Sequence, residues 1–189
     1  LKRYKVEAFE NLVEALQSLP SIGKKSAIRL AYQMVMIDGF GAMKLAHAIE
    51  TGVNEIRPCS QCHNMSEDEL CAICSDEQRD TTLLCIVQSA KDILTIEESR
   101  EFNGVYYVLS RSEDLNEVHL RSAIEDVEEV IFAFSPSIAT ETMILYIEDK
   151  LEGFGLRFSK IAQGVPTGVD LENIDMLSLS RAMEARVQV

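Results

Sequence analysis

Four cysteines constrain this chain more than any other feature: Cys59-x2-Cys62 and Cys71-x2-Cys74, separated by eight residues. Two such knuckles place four thiolates around one zinc ion, each sulfur about 2.3 Å from the metal. Ser60 and Gln61 fill one turn and Ala72 and Ile73 the other, leaving backbone amides free to bond the sulfurs. Disulfides are the rival reading, but they suit exported chains. The N-terminal LKRYKVEAFENL is interrupted by charge and lacks the apolar core of a signal peptide. With four protein ligands the zinc keeps no open position, so the expected role is structural. His63 adjoins a ligand and is the alternative donor. Cys85, inside the apolar run LLCIV, reads as a buried thiol.

Residues 57–78 hold four of the five cysteines and too little apolar material for a core of their own, so they divide the chain into modules. Residues 1–56 read as helical, with Phe9, Leu12, Val13 and Leu16 at i, i+3, i+4 and i+7. Over 79–163, short apolar runs (83–87, 105–109, 130–134 and the weaker 157–162) alternate with helical candidates at 89–101, 113–127 and 138–152. Strands alternating with helices predict βαβ units and a mostly parallel sheet covered on both faces. Residues 164–189 open on Gly and Pro and end as a predicted helix. The fold class is therefore a multi-module α/β chain. The seven methionines read as core filler.

The net charge of −13 argues against a polyanion partner until its distribution is considered. Residues 1–30 carry six basic and three acidic side chains; the remainder carries 12 basic and 28 acidic. A chain polarised in this way can hold a polyanion at one end and repel it elsewhere. The basic end contains LPSIGKKSAIRL: Pro20 closes one helix and Gly23 is expected to permit a tight turn before the next. On that second helix Ala27, Leu30, Ala31 and Met34 share an apolar face, and Lys25 and Arg29 lie opposite it. A helical hairpin with cations at the second helix's start suits a phosphate backbone; a plain hairpin with solvated lysines is the other reading.

Other signals are weaker. Gly164-x3-Gly168 lacks the Gly-Lys-Ser/Thr ending of a phosphate loop and reads as a turn. Asp170, Glu172 and Asp175, and the run Glu125, Asp126, Glu128 and Glu129, read as solvated acidic segments. His47 and His119 have no nucleophile near them in sequence and are given no catalytic role. No apolar run approaches the roughly 18 residues needed to cross a bilayer, so a cytoplasmic protein is expected. The chain opens on Leu1, as expected of a trimmed or replaced start.

Taken together and in order, these segments resemble the RecR family. LPSIGKKSAIRLAYQMV resembles its helix-hairpin-helix, and IRPCSQCHNMSEDELCAICSDEQRD its four-cysteine zinc module. LLCIVQSAKDILTIEES resembles the first strand and helix of its Toprim domain, and IAQGVPTGVDLENIDMLSLSRAMEAR its C-terminal signature. The resemblance implies a homo-oligomer assembled through both ends of the chain, a ring tetramer or dimer of dimers that encircles DNA. It implies work with RecO-type and RecF-type proteins to load recombinase on gapped DNA. It points to Lys25 and Arg29 as DNA contacts, with Lys24 as a further candidate, and to Cys59, Cys62, Cys71 and Cys74 as the zinc ligands.

There are departures from the pattern. Active Toprim enzymes hold Mg²⁺ with a glutamate after the first strand and Asp-x-Asp after a later one. This chain has Gln88 and Ser135-Pro136-Ser137 there, poor ligands for a hard cation. The family's Glu-x-Glu is reduced to Ala139-Thr140-Glu141, leaving Glu141 as the candidate partner contact. The Gly- and Pro-rich loop of relatives is a shorter Ser110–Leu115 segment. The expectation is a non-enzymatic DNA clamp. A zinc-stabilised adaptor that contacts only proteins, and a metal-dependent Toprim nuclease or primase, are the alternatives.

Overall fold

The computed structural model describes residues 5–162, 165 and 168–184, in two compact units, Leu1–Ile56 and Arg57–Val189. Gly164, and with it the Gly164-x3-Gly168 pattern, lies outside the described residues.

The first unit is helical. Helix α1 (Glu7–Gln17) and helix α2 (Lys24–Tyr32) pack around Val13, Ala27 and Ala31, with Phe9, Leu12, Leu16 and Ile22 against them. The first stripe is as read from the sequence; of the second, Ala27 and Ala31 enter this core, while Leu30 and Met34 are only half-buried and stand outside it. Small residues at 27 and 31 let the two helices approach closely. One expectation fails at the connection. Gly23 is the extended N-cap of α2 at φ −82°, and a Cβ there would meet nothing within 4 Å. The left-handed residue is Ser21, at φ 66°. The turn is made two residues earlier, so Gly23 is spared any strained geometry.

A π-helical turn (Gln33–Ile37) continues α2, and helix α3 (Gly39–Glu55) follows, capped by Asp38, whose carboxylate accepts the Gly41 N–H at 2.8 Å. None of the 17 residues of α3 is buried; Phe40 is 84% exposed and Val53 76%. The methionines also depart from expectation. Only Met143 is buried, while Met36, Met43 and Met176 stand in solvent, on helical faces that nothing in their own unit covers.

In the second unit, strands β1 (Arg57–Pro58) and β2 (Met65–Ser66) form a two-stranded antiparallel hairpin. Then β3 (Asp80–Val87), α4 (Ala90–Ser99), β4 (Gly104–Val108), α5 (Glu117–Ala123), β5 (Glu129–Ala133), α6 (Ile138–Lys150) and β6 (Arg157–Lys160) build a parallel sheet of order β4-β3-β5-β6. Helices α5 and α6 bury one face over Leu84, Ile86, Tyr107, Val130 and Phe132. Cys85, Val87, Tyr106 and Ile93 of α4 make the core on the other face, with Ile73 of the cysteine module against it. The run at 83–87 is continuous because both faces are covered. Gly104 is required by packing, since a Cβ there would stand 2.5 Å from the Leu83 carbonyl oxygen. Helix α5 is shorter than the 113–127 expected. Asn116 caps it by accepting from the Val118 and His119 amides, and a 3-10 turn at Ser112–Asp114 precedes it. Helix α7 (Met176–Glu184) closes the described chain, its start held by Asp175. Among the described residues no helix is long and apolar enough to cross a membrane.

Candidate zinc centre and nucleic-acid interface

The β1–β2 hairpin carries the first knuckle, and a turn before β3 carries the second. Together they bring the Cys59, Cys62, Cys71 and Cys74 sulfurs within 4.8 Å of one another, three of them buried. A tetrahedron of sulfurs about 2.3 Å from zinc has edges of about 3.8 Å, and Cys62 and Cys71 stand 3.5 Å apart. The amides anticipated in the knuckles are in place: Asn64 N–H donates to Cys62 Sγ at 3.4 Å and Cys71 N–H to Cys59 Sγ at 3.3 Å.

The thiol chemistry also calls for a cation. Burial raises the Cys59 pKa, but amide hydrogen bonds from Cys71, Cys62 and Gln61 outweigh it and bring the thiol down to about 7. Cys62, beside the Cys74 sulfur and buried, is pushed far up. Four sulfurs at this spacing lose their protons together only around a metal. The donor set fits zinc in a closed structural site. Cys85 stands apart, buried beneath α4, its thiol pushed up to about 12 by burial.

His63 is not a ligand. It has a left-handed backbone at φ 62°, and its Nδ1–H donates to the Val108 carbonyl at 3.4 Å. Val108 N–H in turn donates to the Cys62 carbonyl at 2.9 Å. Both outward polar groups of this residue on edge strand β4 are thus met by the first knuckle. His119 acts as a strut. Its Nε2–H donates to Ser60 O at 2.8 Å, Nδ1 accepts from Tyr107 Oη at 3.2 Å, and the ring stacks on His63 at 4.6 Å. Sequence reasoning assigns His119 no role, and spacing carries no sign of a partner 59 residues away. It also passes over the clamp at the module's exit. Arg79 Nη1 donates to Glu97 Oε1 at 2.8 Å and Tyr106 Oη donates to the same oxygen at 2.7 Å. The hydrogen bond from Arg79 holds the Glu97 carboxyl below its usual range.

The basic candidates lie together on α2. Lys24, Lys25 and Arg29 are exposed, and among the described residues none makes an ion pair, whereas Lys5 is matched by Glu10 at 2.9 Å. The first turn of α2 holds two lysines and no acid, opposite to what the helix dipole favours.

At the carboxyl ends of the strands the positions of the missing metal ligands serve other ends. The Gln88 carbonyl accepts from Ser110 Oγ at 3.0 Å. Ser137 caps α6 by accepting the Thr140 N–H at 3.1 Å, and Ser135 O accepts from Thr140 Oγ1 at 2.9 Å. Glu141 lies apart from the zinc, on the first turn of α6, and accepts from Lys160 Nζ at 3.2 Å. The acidic run before β5 is partly paired: Glu129 accepts from Ser159 Oγ at 2.6 Å and faces Arg157 at 3.6 Å.

Comparison with known proteins gives the same order of modules. Family models for the RecR helix-hairpin-helix, the RecR four-cysteine zinc finger domain, the Toprim domain and the RecR C-terminal region match residues 9–53, 56–76, 82–162 and 164–187. The chain is 57% identical over 190 residues to the recombination protein RecR of a Nitratiruptor species, covering 98% of each chain. It is 50% identical over 189 residues to that of Campylobacter jejuni subsp. jejuni serotype O:23/36 (strain 81-176), covering 97% of this chain and 98% of the relative. With the RecR protein of Helicobacter pylori (strain G27) the identity is 46% over 182 residues, 95% of this chain and 94% of the relative. Matched by those models in order and by these relatives over nearly its full length, the chain belongs to the RecR family of recombination proteins, with a four-cysteine zinc finger and a Toprim domain.

Proposed function

We propose that this protein is a non-enzymatic, cytoplasmic DNA-repair mediator. It assembles into a ring, a tetramer or dimer of dimers, that clamps DNA, and it acts with RecO-type and RecF-type proteins to load recombinase on gapped DNA coated by single-strand-binding protein. The observation that carries this reading is the start of α2. Lys24 and Lys25, with Arg29 one turn on, are exposed, unpaired among the described residues and set against the helix dipole. Such an arrangement costs stability in the free chain and is relieved by phosphate.

Assembly is supported by the two ends of the chain. Helix α3 buries none of its 17 residues, and on α7 Met176 is exposed. Exposed apolar area of this kind on helices is what a second copy covers. The absence of carboxylates at Gln88, Ser135 and Ser137 supports a silent Toprim domain. Glu141 is the proposed contact for a RecO-type partner, which would compete with Lys160 for it.

The test is DNA binding across a salt series. Replacing Lys25 and Arg29 together with alanine is expected to weaken all sequences alike. The slope of log affinity against log salt should flatten by about 1.8 for each subunit engaged, about 0.9 for each phosphate no longer neutralised. The oligomer's mass should not change. Binding as tight as the parent's at every salt concentration would move the protein-only adaptor ahead.

A further inference from the structure

The crest of the sheet carries a cavity that the proposed function leaves unused. The chain runs from β3 out to β4 and returns to β5 on the other side, so the strand order reverses at β3. In sheets of this kind ligands sit outside the carboxyl ends of the strands near such a reversal. A cavity of about 450 Å³ lies there, lined by the turn after β5 (Ser135), the residue that follows β6 (Ile161), α4 (Thr95, Ile96) and α7 (Leu177, Arg181). Its volume falls within the roughly 300–1,000 Å³ of small-ligand sites.

The charges around it are unusual for so acidic a chain. Among the described residues of this unit, Arg79, Arg111, Lys150, Arg157 and Lys160 are in ion pairs. Arg57 donates to the Glu67 carbonyl and Arg121 lies over the Phe154 ring. That leaves Lys91, Arg100 and Arg181 without a side-chain partner among the described residues. Arg181 lines the cavity, and Lys91 lies one turn before Thr95 on the same face of α4, where Thr95 Oγ1 donates to the Lys91 carbonyl at 3.3 Å. The one acid in the lining, Asp92, is committed: its Oδ2 accepts the Ser89 N–H at 2.9 Å in the capping box of α4. A lone, engaged carboxylate cannot hold a hard cation, while two free cations above an apolar surface suit an anion carrying an apolar body.

We propose that this cavity binds one nucleotide unit of a single DNA strand, its phosphate between Arg181 and Lys91 and its sugar and base against Ile96, Ile161 and Leu177. The assignment to nucleic acid rests on the proposed function; the charge and shape stand apart from it. A recess takes a splayed nucleotide of a flexible strand, whereas the stacked nucleotides of a duplex cannot enter. The cavity is therefore a single-strand site, separate from the duplex contacts assigned to α2.

The experiment compares the full chain with Lys91→Gln, with Lys91→Gln/Arg181→Gln and with Lys25→Ala/Arg29→Ala. Fluorescein-labelled oligothymidylate and a duplex of equal length are titrated across a salt series. Lys91 is exposed, so its variant folds even if the double variant does not. The double variant is expected to lower the single-strand slope by about 0.7 per engaged subunit, the value for one phosphate no longer neutralised, and Lys91→Gln by a fraction of that, with duplex binding unchanged. An unchanged single-strand slope in both variants overturns the proposal, as does an equal loss on both DNA forms. Competition by free thymidine monophosphate as strong, nucleotide for nucleotide, as by the oligomer would assign the cavity to a free nucleotide and overturn the strand reading. The Lys25→Ala/Arg29→Ala protein tests the α2 reading separately: if it keeps duplex affinity, that reading fails while the cavity's own comparison stands.

Discussion

The backbone N–H of Val108, on the outer strand of the parallel sheet, donates to the carbonyl of the zinc ligand Cys62 at 2.9 Å. The metal knuckle thus occupies a sheet edge that would otherwise offer unpaired groups to another chain. Zinc removal is expected to free that edge. In chelator-treated protein the Val108 amide should exchange with deuterium roughly tenfold faster or more, as local opening becomes easier. Cys59→Ser and Cys74→Ser should lose both metal and soluble protein. Undiminished protection of Val108 in folded, zinc-free protein would separate the knuckle from the sheet.

The Arg79–Glu97–Tyr106 clamp makes a pH-dependent contribution. The folded-state pKa of Glu97 lies below its ordinary value of 4.5, chiefly through the Arg79 hydrogen bond. Its stabilisation is therefore complete above that value and lost as pH falls through the folded pKa. Glu97→Gln is expected to cost about 2 kcal/mol in urea unfolding at pH 7. The gap between parent and variant should narrow below about pH 4.5. Both proteins weaken at their zinc sites alike, so the difference isolates Glu97; a gap constant from pH 7 to 3 would count against the clamp.

Helix α3 should be an assembly element. Val53→Asp or Phe40→Asp puts a charge on a face where those side chains are 76% and 84% exposed, so the isolated unit should fold with little change. Light scattering is expected to show a drop to a smaller oligomer with one zinc per chain retained. Unchanged mass in both variants would remove α3 from the interface.

The Toprim domain should remain silent with either Mg²⁺ or Mn²⁺. Supercoiled plasmid incubated with the protein and each ion is expected to stay intact, because Gln88, Ser135 and Ser137 supply no carboxylate. Divalent-dependent nicking that co-purifies with the protein and disappears in Glu141→Gln would restore the enzyme reading.

Much of the fold and of the zinc site is readable from the chain because it rests on local spacing. Phe9, Leu12, Val13 and Leu16 are neighbours on one helix, and the four cysteines sit in two short turns, so period and spacing suffice. What escapes depends on distant contacts. The His119–Ser60 hydrogen bond joins residues 59 apart and the Arg79–Glu97 pair joins residues 18 apart, through a sheet order that no local pattern encodes. Gly23 misleads because glycine marks flexibility without saying which residue takes the left-handed turn; Ser21 does. The methionines mislead because apolar character cannot distinguish a core position from an exposed helical face.

The burial of Cys85 has a practical consequence for chemistry on this protein. It is 3% exposed with a thiol pushed up to about 12, and every other cysteine in the chain is a zinc ligand. A thiol-directed reagent therefore finds no free, exposed thiol on the zinc-loaded molecule. Cysteine adducts that form under native conditions are expected to follow departure of the metal ion, so mass spectrometry of the labelled cysteines can serve as a clock for zinc loss.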